Sequence, residues 1–132
     1  MSRNDGIVHR YHPVTGDHLG SFSVGAQGQG VATDGETLFV STFSGSGVTI
    51  KAYNSEFSHI DTYLKPSGMS QNNLIDFAYQ AHTGTWFGIV TDGEGGTGTK
   101  SRIVIEFTFG GSVTATHTLP WDVDGIGVAG GD

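Results

Sequence analysis

One stretch limits what this chain can become more than any other. Residues 28–42, Gly-Gln-Gly-Val-Ala-Thr-Asp-Gly-Glu-Thr-Leu-Phe-Val-Ser-Thr, read as two short strands, 29–33 and 37–42, joined at Asp34-Gly35. Asp-Gly between apolar runs favours a tight hairpin, because both turn residues must tolerate positive φ and the resulting twist matches that of paired strands.

The same features recur along the chain. Ile7-Val-His-Arg-Tyr11, Thr49-Ile-Lys-Ala-Tyr53 and Ile103-Val-Ile-Glu-Phe107 align with an aromatic at the same last place. Each is followed by a turn and a returning strand: His18-Leu-Gly-Ser-Phe22, His59-Ile-Asp-Thr-Tyr63 and Ala115-Thr-His-Thr-Leu119. The opening hairpin reappears as Leu74-Ile-Asp-Phe-Ala-Tyr79 and Thr85-Trp-Phe-Gly-Ile-Val-Thr91, with Gln80-Ala-His-Thr-Gly84 as its turn. A last trace, Gly125-Ile-Gly-Val-Ala-Gly-Gly-Asp132, repeats Gly28-Gln-Gly-Val-Ala-Thr-Asp-Gly35. The repeat units are 6–47, 48–100 and 101–132 within a single all-β domain, with insertions at 67–73 and 94–99 making the spacing uneven.

Four strands repeated at about 40 to 50 residues are the mark of a β-propeller, whose blades bury their faces against neighbouring blades. The expected fold is a partial propeller of about three four-stranded blades, completed by oligomerisation. A β-sandwich that echoes the blade pattern is the alternative. In the propeller register the chain supplies the third and fourth strands of one blade, two complete blades and the first strand of another. An exposed edge of that kind is normally covered or paired, which makes Ile7, Val8 and Tyr11 at one end and Ile126 and Val128 at the other candidates for an edge between subunits.

Gly-x-Gly-Val-Ala-Thr-Asp-Gly-x-x-Leu-Phe-Val-Ser, followed by Val-Thr-Ile-Lys-Ala-Tyr-Asn, resembles blades of the NHL and SMP-30/gluconolactonase-like six-bladed propellers. The resemblance covers most of the chain and implies fold more than function. The SMP-30-like enzymes hold a divalent metal near the propeller axis with Glu, Asn and Asp. None of those motifs matches here residue by residue, so no catalytic or metal-binding residue is carried over.

Composition narrows the function. With 13 acidic and 6 basic residues the 132-residue chain carries a net charge of −7, and its basic residues are scattered singly. Nucleic acid and anionic membranes are therefore not expected partners. The first residues lack a signal-peptide core, and no apolar run is long enough to span a bilayer. A virion or cytoplasmic location is expected. Cysteine is absent, which removes disulfides, thiolate metal sites and a Cys nucleophile. Glycine, at 22 residues, punctuates β-branched and aromatic residues in a manner suited to short strands and tight turns.

No catalytic constellation stands out. His9, His12 and His18 carry nitrogens that bind zinc or copper, but their places in a strand and around a turn favour ordinary surface histidines. Asp34, Asp92, Asp122, Asp124 and Asp132 sit beside glycines or in turns, where a carboxylate bonds nearby backbone amides. Asp92-Gly-Glu-Gly-Gly-Thr-Gly98 could loop around calcium, yet it lacks the alternating ligands and the final Glu of an EF-hand. No cofactor is expected. Trp86, on a strand, reads as core. Trp121, in Leu-Pro-Trp-Asp, reads as a core lid or a binding surface.

The expected function is a non-enzymatic structural, assembly or binding subunit, in its leading form a phage virion component such as a capsid decoration, head-fibre or tail-fibre protein. Its partners would be copies of itself or other virion proteins. The alternatives are an oligomeric, metal-dependent propeller hydrolase or lactonase, and a propeller that binds glycans or small ligands.

Overall fold

A computed structural model of the protein describes residues 5–44, 47–91 and 102–129. The described residues are all-β, with ten strands: β1 (Ile7–Tyr11), β2 (His18–Ser23), β3 (Gln27–Thr33), β4 (Leu38–Ser44), β5 (Gly47–Tyr53), β6 (His59–Leu64), β7 (Asn73–Gln80), β8 (Thr85–Thr91), β9 (Ile103–Phe107) and β10 (Val113–Thr118). They form three antiparallel sheets that follow one another along the chain: β1-β2, then β3-β4-β5-β6, then β7-β8-β9-β10. Each four-stranded sheet is a simple meander, and its first strand lies innermost, β3 against β7. This is the blade arrangement of a propeller that has not closed into a ring.

Strand periodicity explains the layers. Along β5, Val48, Ile50 and Ala52 point inward while Thr49 and Lys51 are half-buried, as a period of two requires. The inward residues of β4 and β5 meet Leu74, Phe77, Trp86, Val90, Ile105 and Phe107 of the next sheet in the main core. Trp86 is core, as its strand position implied, and is 4% exposed. It stacks on Phe109 at 4.3 Å and meets Phe39 edge-on at 4.9 Å. Burying a large apolar side chain of this kind contributes roughly 1.5–3 kcal/mol. The other face of the β3–β6 sheet packs on the β1-β2 sheet through a smaller cluster, Val8, Val24, Val40 and Tyr53.

The sheet boundaries are phased differently from the sequence repeat, because each repeat unit opens at the third strand of a blade. The connection between β7 and β8 spans 81–84, within the expected turn Gln80–Gly84 and with Gln80 itself closing β7, and is tied by a hydrogen bond from Gly84 N to Gln80 O at 2.9 Å. The Asp34-Gly35 connection differs from the tight two-residue turn expected. It spans 34–37, only Gly35 takes positive φ, at 103°, and Asp34 Oδ1 accepts hydrogen bonds from Glu36 N (3.0 Å) and Thr37 N (2.9 Å). A carboxylate that caps the turn replaces the second positive-φ residue. The insertion between the two complete sheets is tucked in: Ser67 N donates to Gly111 O, Val113 N donates to Ser67 O, and Met69 enters the main core. The insertion at 94–99 and the calcium-like stretch 92–98 lie outside the described residues.

The expected last strand is a correction. Residues 121–129 form no strand, although Gly125–Ala129 repeats the β3 motif. A strand needs a neighbour to take its amides and carbonyls. β3 has β4, whereas among the described residues no strand lies beside 121–129 to pair with it.

Candidate functional site

The inner strands meet at a polar seam built by two bulges. In β3 the register shifts between Gly28 and Val31, so Gln29 and Gly30 together face Ser41 of β4. In β7 it shifts between Leu74 and Asp76. A bulge leaves backbone groups off the ladder, and Ser41 connects the two. Its buried hydroxyl accepts from Gly30 N at 2.9 Å and donates to Leu74 O at 2.9 Å. The backbones approach so closely here that a Cβ on Gly30 would stand 2.8 Å from Asp76 Cα. Glycine at 30 is therefore a packing requirement.

Asp76 lies between the two copies of the Gly-x-Gly-Val-Ala motif. Its Oδ1 would be 3.2 Å from a Cβ on Gly30, and its Oδ2 accepts a hydrogen bond from Ile126 N at 2.9 Å. The segment 121–129 is thus held at the inner strands by a side chain rather than by a ladder. Gln29, next to this seam, is 7% exposed, and neither polar atom of its amide has a hydrogen-bond partner among the described residues. A buried amide left in that state costs about 1–3 kcal/mol.

The second feature is the edge of β1. Val24 N donates to Gly6 O at 2.9 Å, so the antiparallel alternation turns the Ile7 and His9 amides away from β2. On that side no strand pairs with β1 among the described residues, and the Ile7 amide is met by Asp5 Oδ1 at 3.3 Å. Val31, on the face of β3 shared with Val40, is 37% exposed.

Of the candidate edge residues, Ile7 is half-buried, Val8 faces the small cluster and Tyr11 is exposed. Ile126 and Val128 are half-buried and lie beyond β10, in the segment tied to Asp76. The two groups belong to different parts of the fold. Trp121 is 67% exposed, beside the solvent-facing Arg102–Asp122 ion pair of 3.0 Å. Such a pair stabilises by about 0–1 kcal/mol, so it orients the loop more than it anchors it.

Asp76, Ser41 and Gln29 do not stand out in the sequence. The charged residue inside the apolar run Asn-Leu-Ile-Asp-Phe-Ala-Tyr was the available signal for the first. Among the described residues, no three His, Asp or Glu side chains gather to hold a metal ion. Tyr53 has its hydroxyl pKa pushed up by burial, and Tyr63 by burial and then by the charge of Asp61.

No family model and no curated protein matches the chain. A solved structure of BBS1N in complex with ARL6DN, soaked with mercury, is similar, with a TM-score of 0.53 and 12% identity. The shared feature is the β-propeller fold. The match covers 92% of this chain and 36% of that one, so the chain spans about a third of the length of the protein it matches. No helix of the described residues is long and apolar enough to cross a membrane.

Proposed function

We propose that this protein is a non-enzymatic binding or assembly subunit whose open propeller is completed by strands from another polypeptide. The observation that carries the reading is the β1 edge, with outward amides at Ile7 and His9 and no strand beside it among the described residues. Strand addition at such an edge supplies main-chain hydrogen bonds, and side-chain pockets supply selectivity. The buried Gln29 amide, unbonded among the described residues, and the exposed Val31 support it, since both lie on the inner strand of the sheet that β1-β2 covers only in part.

The proposed occupant is segment 121–129 of a second copy. Among the described residues, that segment carries the inner-strand motif without a ladder, and β1 has an edge without a strand. Donor and acceptor in one chain make a head-to-tail contact, which closes into a ring where the rotation permits. BBS1N is itself a propeller seen with a protein bound, which is consistent with a binding role here. The narrower setting of a phage virion component rests on the small, Gly-rich, all-β character alone. Mass spectrometry of purified particles tests it.

The native chain has no cysteine, so an introduced pair reports without background. Ile7→Cys chains mixed with Val128→Cys chains under mild oxidation are expected to give covalent heterodimers in excess of either homodimer. Absence of heterodimers overturns the proposed occupant.

A further inference from the structure

The β1-β2 hairpin carries a pair of histidines, His9 and His18, whose side chains the edge does not use. His9 lies opposite Ser21, and His18 lies opposite Tyr11 past a register shift at Arg10 and Tyr11. That shift brings the imidazoles together on one exposed face, with ring centroids 5.4 Å apart and Tyr11 flanking His18 at 5.3 Å. His9 Nδ1 and His18 Nε2 are 3.3 Å apart. Two metal–imidazole bonds of about 2.0–2.1 Å at a near-tetrahedral angle place their nitrogens about 3.3–3.4 Å apart. The pair thus already has the bite of a chelate.

We propose that His9 and His18 form a bidentate surface site for a divalent transition metal of the zinc, nickel and copper class, the ions that imidazole favours. In the metal-free chain one ring must donate its N–H to the other. With metal bound, both nitrogens present lone pairs, and water fills the remaining positions. His12 is not a third ligand through Nδ1, because that atom accepts hydrogen bonds from Val14 N at 3.2 Å and Thr15 N at 3.1 Å. The acidic chain, at −7, draws cations to its surface.

The test is calorimetric titration of the untagged full chain with zinc chloride. One saturable site per chain is expected, lost in His9→Ala and in His18→Gln and retained in His12→Ala. His18→Gln keeps a neutral hydrogen-bonding side chain at an exposed place, so its loss of binding is not a loss of fold. A thermal scan is expected to show zinc raising the melting temperature of the parent chain and leaving that of His18→Gln unchanged. No saturable binding by the parent chain, or equal binding by His18→Gln, overturns the proposal.

Discussion

β3 and the segment 121–129 begin from the same five-residue pattern and end differently. Gly28-Gln-Gly-Val-Ala32 is a bulged strand paired with β4, while Gly125-Ile-Gly-Val-Ala129 is an irregular piece whose Ile126 amide donates to Asp76. Both approach the same carboxylate, but only one has a ladder. The contrast teaches that a Gly-x-Gly-Val-Ala run sets where a strand can lie, and that a paired neighbour decides whether it becomes one. It also identifies what a second polypeptide would add.

The largest effect expected from breaking this comparison is at its glycines. Gly30→Ala places a Cβ 2.8 Å from Asp76 Cα and 3.0 Å from Ile75 O, both backbone. Overpacking of this kind costs about 1–3 kcal/mol, and the upper end is expected because neither atom can rotate away. Gly125→Ala meets only Asp76 Oδ2, at 3.7 Å, and is expected to stay within about 0.5 kcal/mol of the parent. Urea unfolding of the two variants measures the difference, and equal costs would remove the distinction between the two segments.

Ser41→Ala comes next. It leaves Gly30 N and Leu74 O buried without the hydroxyl that joins them, at a cost of about 1–3 kcal/mol. Urea unfolding measures the cost, and a variant as stable as the parent would mean that the hydroxyl does not join the two sheets. Asp76→Ala is expected to cost about 1 kcal/mol and to speed deuterium exchange at the Ile126 amide, with Asp76→Asn retaining much of the protection. Unchanged exchange in Asp76→Ala would mean that something else holds 121–129.

The smallest effect at neutral pH is none, and it concerns Tyr53. Burial raises the Tyr53 hydroxyl above its ordinary value of 10.0. The folded state therefore prefers the neutral form, and this contribution is complete below pH 10 and lost as pH rises through the raised value. Tyr53→Phe is expected to flatten the decline in melting temperature above pH 10 and to leave the neutral-pH value nearly unchanged.

Much of the strand pattern was legible in the sequence because period-two burial and turn residues are local. Ile7–Tyr11, Thr85–Thr91 and Ile103–Phe107 are strands with the bounds their residues suggested. The long-range features were not legible. Ser41 resembles any small strand residue until Leu74, distant in sequence, supplies an acceptor. Phe109, just past β9, looks like a loop aromatic, yet it stacks on Trp86 and Tyr63 at the centre of the aromatic cluster. The His9–His18 approach depends on a one-residue register shift that no spacing rule specifies.

The central claim is that the open edge of β1 is filled by a second copy. Light scattering of the purified chain over a range of concentrations tests it most directly. The account predicts a mass of two or more copies that falls toward one when Ile7→Pro removes an outward amide from the edge. A parent chain that stays a stable single copy at every concentration would contradict it.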